Sequence, residues 1–357
     1  MTRRSRQRVV VFHPGEFPDS LDYPTARPAM LARDEGFEVH VVEVLHGQRA
    51  HRMFDGVQRW TEPSRARGLL RTARLRADLL FTEGSTWQLL ALPSAHHSWV
   101  RATGGSSRPW LLAFERLLIR PASAVSFLNP WEQERWRLPD RQQADLSHPV
   151  DITFWSTPVA SDPQLWSARG LTAPRGPVIS YVAQIMQRKR QAELVSSLAE
   201  LMRERPHIGL ALAGYVAEPE AERQLRALIH AERLEDRVWI LGRLTRDEVR
   251  QLYAQSTAHV INTASEMECM VLYESLAAGT PTLISALPEL TSAFPGLPAH
   301  HNGQELRTNV GRLLDNPALG PRLVASARTR LGWADVVRHD EGFRRRLGAI
   351  LAPVQSG

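Results

Sequence analysis

The chain has 357 residues, of which 43% are hydrophobic and 23% charged, the composition of a folded globular protein long enough for two cores of ordinary size. Its formal charge of +6 admits an anionic partner, whether a nucleotide sugar, a membrane surface or nucleic acid, without choosing among them. A single cysteine, Cys269, excludes an internal disulfide framework and a cysteine-cluster metal site, and no stretch has the roughly 18 consecutive apolar residues of a membrane span.

The basic start, residues 1–7, runs straight into a strand-like segment without a small-residue cleavage pattern, so an exposed tail and a cytoplasmic protein are expected. Residues 8–12 read as a buried strand and 13–18 as the loop leaving its carboxyl end, the position that lines the ligand crevice in open α/β sheets. A helix over 28–35, stopped by Gly36, and an alternating strand over 38–44 complete the order that a parallel crossover requires. Arg67, Arg71 and Arg74 fall at three-to-four spacing within 64–76. That spacing admits a solvated helix face, or a docking surface for anionic lipid or a phosphate-bearing acceptor. Residues 78–81 form the next strand, with Glu83 at its carboxyl edge; His96 and His97 read as polar candidates or as capping and solvent-facing groups. A helix containing 115–120 leads to a strand over 124–127 and a new helix at Asn129. Trp131 and Trp136 there are either acceptor-site borders or packing anchors. The last strand of this half is expected over 151–155, and the Gly- and Pro-bearing stretch 169–177 marks the boundary.

The second half repeats the pattern. Strands are expected over 178–182, 208–213, 238–241, 258–261 and 281–285, separated by helices over 191–203, 218–232 and a short one capped by Thr245 with Glu248 reciprocating. Helices over 304–314, 321–330 and 333–347 follow, and 353–357 reads as a frayed end. Lys189 is the only lysine of the chain. Surface solvation elsewhere uses arginine, and a compact ammonium is not interchangeable with a guanidinium, so Lys189 is a site candidate.

The chain is organised around residues 262–286, which read as a strand end, a polar loop, a helix, a Gly-Pro turn and another strand. Glu266 and Glu274 lie eight positions apart, too far to face each other on one helix, so Glu266 belongs to the loop at the helix mouth and Glu274 to the helix itself. A helix start with unpaired N–H groups from about 267 to 271 is a ready site for phosphate. Such a pocket suits a sugar nucleotide, with one carboxylate on sugar hydroxyls and the other on ribose. The plainer alternative is that Glu266 and Glu268 complement the helix dipole while Glu274 is solvated.

Glu266, Glu274, Ala277, Gly279 and Pro281, in that order, resemble the donor-binding motif of the family 4 retaining glycosyltransferases, enzymes of the GT-B fold. The resemblance is strongest over 178–285. It implies two doubly wound Rossmann-like domains facing across a cleft: 1–170 for the acceptor, 171–335 for the nucleotide sugar, and 336–357 as a terminal helix packing back on the first domain, with a tail. It implies transfer of a sugar from a nucleotide diphosphate sugar to an acceptor hydroxyl with retention, without a cofactor or catalytic metal, as domain closure aligns donor and acceptor. Glu266 would orient the donor sugar, Glu274 hold ribose, and Lys189 with Cys269, Met270 and Val271 at the helix mouth stabilise the leaving diphosphate. Arg188 would assist, and Arg243 would contact base or phosphate. Gln184 stands where the family carries an arginine, which removes a charge from phosphate binding. Glu83 lies one place past Thr82, at the edge where many members have a histidine; it reads as catalytic, orienting an acceptor hydroxyl or balancing an oxocarbenium-like transition state, or as a structural carboxylate. His13, Gly15, Arg27 and Trp131 are the acceptor-side candidates. The expected partners are a nucleotide sugar and a hydroxylated acceptor, the latter a small soluble metabolite, with no nucleic acid and no integral membrane association. The alternatives are a sugar-nucleotide epimerase or hydrolase of the same fold, and a sugar-nucleotide-binding protein whose chemistry has decayed.

Overall fold

Parallel strands covered on both faces need apolar side chains at consecutive positions, and the first strand, β1 (Arg8–His13), has that pattern, with Val9 to Phe12 buried. Val9 and Val11 enter one core while Val10 and Phe12 enter another on the opposite side of the sheet. The computed structural model describes residues 7–13, 15–18, 26–84, 86–102, 108–140, 143–144, 149–160, 162–267, 269–332 and 334–352. The chain forms two units, 1–149 with 333–357, and 150–332.

In the first unit β1 is followed by α1 (Arg27–Asp34), β2 (Glu38–Val44), β3 (Ala50–Phe54), β4 (Val57–Glu62), α2 (Arg65–Leu75), β5 (Leu79–Glu83), α3 (Thr86–Leu89), β6 (His97–Ala102), α4 (Pro109–Ile119), β7 (Ala124–Phe127), α5 (Pro130–Trp136) and β8 (Gln143–Ala144). The strand order is β3-β4-β2-β1-β5-β6-β7-β8, parallel except for β3 against β4. β3 and β4 form a hairpin turned at Asp55 and Gly56, both at positive φ, as a two-residue turn between twisted strands requires. The chain order reverses between β1 and β5, so the ligand crevice of this sheet lies beyond their carboxyl ends. Gly68 lets α2 lie against the sheet, because a Cβ there would press on Val44 and Phe12. The last helix of the chain, α15 (Val336–Ile350), completes the core that holds Val9 and Val11: Phe343 stacks on Trp99 with ring centroids 4.9 Å apart, and Asp340 accepts two bonds from Arg27 at 2.6 and 2.5 Å.

The second unit contains α6 (Ile152–Ser156), α7 (Gln164–Ser167), β9 (Val178–Val182), α8 (Gln191–Glu204), β10 (Gly209–Ala213), α9 (Pro219–Ala231), β11 (Val238–Gly242), α10 (Arg246–Gln255), β12 (Ala258–Ile261), α11 (Met270–Ala277), β13 (Thr282–Ser285), α12 (Pro288–Ala293), β14 (Ala299–His300), α13 (Gly303–Asp315) and α14 (Leu319–Leu331). α15 (Val336–Ile350) then belongs to the first unit. All strands of the second sheet are parallel, in the order β11-β10-β9-β12-β13-β14, and its reversal lies between β9 and β12.

The segment 151–155 is a helix rather than the expected strand. The Asp151 side chain caps it by accepting from Phe154 N at 2.9 Å, and Trp155 packs edge-on against Tyr253. The change of unit accordingly falls at 149/150 instead of 170/171. Leu165 and Trp166 are buried with Leu241 and Leu252 of the second unit, and Trp166 Nε1 donates to Gln255 at 2.8 Å. Among the described residues no helix is long and apolar enough to cross a membrane. Residues 1–6 and 353–357, Ser85, Glu268 and Trp333 lie outside the described residues.

Candidate functional site

Two backbone loops leave the carboxyl ends of β9 and β12, the neighbouring strands at which the second sheet reverses, and each hydrogen-bonds the other. Ala264 N donates to Arg188 O at 2.9 Å, Thr263 Oγ1 lies 3.3 Å from the same carbonyl, and Asn262 Nδ2 donates to Arg190 O at 3.1 Å. The buried Tyr181 hydroxyl lies within donating distance of Lys189 O, 3.0 Å, and Asn262 O, 3.1 Å; burial pushes its pKa well above 10, so it stays a donor. Gly214 makes room behind the first loop, since a Cβ there would collide with the Ala183 carbonyl. These contacts leave residues 187–189 as a 3-10 turn and aim Lys189 at the second loop.

Lys189 Nζ pairs with the Glu266 carboxylate, and Arg188 Nη1 stands 3.8 Å from Glu266 Oε2 while donating to Ser265 O at 2.7 Å. The Lys189 and Glu266 side chains are only 13% and 11% exposed, so their charges are weakly screened. An ammonium beside a carboxylate offers a donor to anionic oxygens and an acceptor to hydroxyls at one point.

α11 begins just beyond. Its N-cap residue, Cys269, supplies no side-chain bond, so the first N–H groups lack that partner. The Cys269 thiol is buried, which raises its pKa and makes it a packing group rather than a nucleophile. Met270 and Val271 are half-buried in the first turn. Glu274 lies one turn further in: burial lifts its carboxyl from the ordinary 4.5 to about 7, with Arg246 opposing. The carboxylate makes no hydrogen bond or ion pair among the described residues. A half-buried carboxylate without a donor is costly to keep, and that cost is removed by a ligand bearing hydroxyls.

Gln184 and Arg243 are exposed at the carboxyl ends of β9 and β11; neither side chain joins the cluster around Glu266. A separate pocket of about 110 Å³ lies beside the loop, lined by Arg190, Asn262, Thr263, Ser285, His300 and Asn302 among others, and contains none of Lys189, Glu266 or Glu274.

In the first unit, His13 ends β1 and Glu83 ends β5, the pair of strands at which that sheet reverses. Their side chains approach to 4.0 Å, and the fully buried Arg101 of β6 brings Nη1 to 4.0 Å from the same Glu83 oxygen. Burial lowers the His13 pKa against the pull of Glu83 and Glu43. The β1 loop carrying Gly15 is pinned from below: Glu43 Oε2 accepts Phe17 N at 2.8 Å, Arg59 bonds the same carboxylate at 2.9 and 2.8 Å, and Arg59 Nη2 donates to Phe17 O at 2.6 Å. Arg27 spends two donors on Asp340, and the half-buried Trp131 lies under the Arg135 guanidinium at 5.0 Å. Tyr181, Asn262, Arg101 and the Glu43–Arg59 pair are the parts of these sites that sequence reading overlooked. A charged residue within an apolar strand, as at Glu43 and Arg101, is the signal that points to the last two. Among the described residues no three His, Cys, Asp or Glu side chains gather in a way that would hold a metal ion.

The architecture is that of the GT-B fold, two Rossmann-like units each built on a largely parallel sheet. It is similar to HepE of Anabaena, solved with UDP and glucose, at 16% identity over 96% of this chain and 100% of that one, TM-score 0.74. It is similar also to sucrose-phosphate synthase of Thermosynechococcus elongatus, at 17% identity over 96% and 100%, TM-score 0.72, and to α,α-trehalose 6-phosphate synthase of Burkholderia multivorans, at 12% identity over 97% and 99%, TM-score 0.68. Residues 164–294, which carry all the second-unit site residues named above, match the family model described as glycosyl transferases group 1. A comparison with curated protein sequences gives no match.

Proposed function

We propose that the chain is a retaining glycosyltransferase that moves a sugar from a nucleotide diphosphate sugar to an acceptor hydroxyl, with the donor held by the second unit. The observation that carries this reading is Glu274, half-buried, its carboxylate without a hydrogen bond among the described residues, and one turn inside the helix that follows the loop of Glu266, the partner of Lys189. The group 1 match over the same residues and the UDP and glucose in the HepE structure support a sugar nucleotide as the ligand.

In this reading Lys189 and the first N–H groups of α11 stabilise the charge that grows on the departing diphosphate, an electrostatic contribution made where the transition state needs it. Arg188 adds a second positive group, and Arg243 meets the base or a phosphate. Glu266 accepts bonds from the sugar hydroxyls and fixes the donor's orientation, while Glu274 accepts the ribose hydroxyls. Gln184 donates a neutral hydrogen bond where a charge would bind phosphate more tightly. On the acceptor side, Glu83 beside His13 orients the incoming hydroxyl of a small soluble metabolite, with Gly15, Arg27 and Trp131 bordering it.

The test is to incubate the protein with a panel of nucleotide diphosphate sugars and pooled hydroxylated acceptors, following nucleoside diphosphate release and the anomeric configuration of any product. A glycoside with the donor's configuration, lost in Lys189→Ala and Glu266→Gln, is the expected result. Donor isomerisation or hydrolysis without a glycoside would replace transfer by the epimerase or hydrolase reading.

A further inference from the structure

A pocket of about 180 Å³ lies in the first unit between the end of β4 and one flank of α2, lined by Arg49, Glu62, Arg67, Leu70, Arg71 and Arg74. By strand order it belongs to the β4 side of the sheet, away from the β1–β5 reversal where His13 and Glu83 meet. Arg67, Arg71 and Arg74 fall at i, i+4 and i+7 on α2, and Arg49 reaches the same space from the connection between β2 and β3. Four guanidinium groups therefore face one carboxylate.

One of the four is fixed in place. Arg71 Nε donates to the buried Glu62 at 2.8 Å, and its guanidinium carbon sits 4.3 Å over the Trp60 ring. Trp60 is itself held, stacked on His51 at 3.6 Å and donating Nε1 to His40 at 3.1 Å. The other three, Arg49, Arg67 and Arg74, are exposed and make no ion pair among the described residues. On α9, Arg223 pairs with Glu220 and Arg226 with Glu222, and on α10 Arg250 pairs with Asp247, whereas α2 has no acidic residue. Like charges gathered around a concavity repel one another and focus a positive field into it, an arrangement that an anion relieves. Guanidinium forks match the paired oxygens of a phosphoryl group.

We propose that this pocket binds a phosphoryl group, anchoring a phosphorylated ligand to the first unit at a place separate from the candidate transfer site. The phosphoryl group comes either from a soluble phosphate ester or from a lipid headgroup. The test uses the full chain at 150 mM salt with two probes: inorganic phosphate by calorimetry, and phosphatidylcholine vesicles containing phosphatidic acid by co-sedimentation. It compares wild type with Arg67→Gln/Arg74→Gln, in the pocket, and Arg65→Gln/Arg76→Gln, at the first residue and the C-cap of the same helix and outside the pocket, which removes the same charge. Binding of either probe should fall at least tenfold in the pocket variant and less than twofold in the control. Binding of phosphate assigns a soluble ester, and binding of vesicles alone assigns a headgroup. The proposal is overturned if neither probe binds, if the two double variants lose equally, or if a single-stranded oligonucleotide competes both probes away with a loss that tracks net charge only.

Discussion

Replacing Glu274 by glutamine should make the protein more stable and worse at binding its donor. Burial lifts the Glu274 carboxyl from 4.5 to about 7. Between those values the folded chain keeps a proton that the unfolded chain has released, so stability falls as pH rises through this window and the loss is complete above the folded value. At about 1.36 kcal/mol per unit the shift corresponds to roughly 3 kcal/mol, and because the side chain is only half-buried about 1–3 kcal/mol is expected. Glu274→Gln keeps the shape and removes the ionisation. At pH 8 it should therefore exceed wild type by about 1–3 kcal/mol in urea denaturation, and at pH 5 the two should agree to within about 1 kcal/mol. The same variant should bind a nucleotide sugar more weakly, since an amide cannot accept two hydroxyls as a carboxylate does. Opposite signs for stability and binding mark a group kept for its ligand. A variant that is less stable at pH 8, or whose difference from wild type does not change with pH, would refute the reasoning.

Burial alone would raise the Asp340 carboxyl, but bonds from His339 and Arg27 outweigh it and bring it from 3.8 to about 2. The pair's contribution, about 2 kcal/mol, is full above pH 3.8 and lost as pH falls through 2, and acid denaturation of Asp340→Asn should lack that loss. Arg59→Met leaves Glu43 ionised and buried without its partner and should cost about 3–5 kcal/mol in chemical denaturation, part of which returns in the double variant Glu43→Gln/Arg59→Met. Lys189→Arg should fail to restore donor binding, with the dissociation constant raised at least about tenfold in equilibrium titration, because a planar fork does not fit the space of a compact ammonium beside Glu266.

Strands buried on both faces are the easiest elements to read: β1 carries an unbroken apolar run from Val9 to Phe12, and β9 and β12 are apolar except for one buried polar residue each, Ser180 and His259, a density that no amphipathic helix would show. The β3–β4 hairpin was legible too, from Asp55-Gly56 between alternating residues, yet went unread because β3 is almost wholly exposed and lacks an apolar face. Residues 151–155 misled because their apolar and aromatic run suits a strand, and only the Asp151 cap and the Tyr253 contact reveal the helix. In the candidate site, the separation of Glu266 from Glu274 placed one in the loop and one in the helix, as the start of α11 at Met270 has it. The pairing of Lys189 with Glu266 spans 77 positions, which no local spacing rule encodes. Tyr181 and Asn262 were invisible for a related reason: they act on distant backbone carbonyls, and a tyrosine in a strand reads first as core.

The most direct measurement is a calorimetric titration of a panel of nucleotide diphosphate sugars into wild type, Glu274→Ala and Lys189→Ala. Micromolar binding of at least one donor by wild type, lost in both variants while their folding transitions remain cooperative, is the predicted result. Folded wild type that binds no member of the panel at millimolar concentration, or variants that bind as tightly as wild type, would contradict a donor site built on Lys189, Glu266 and Glu274.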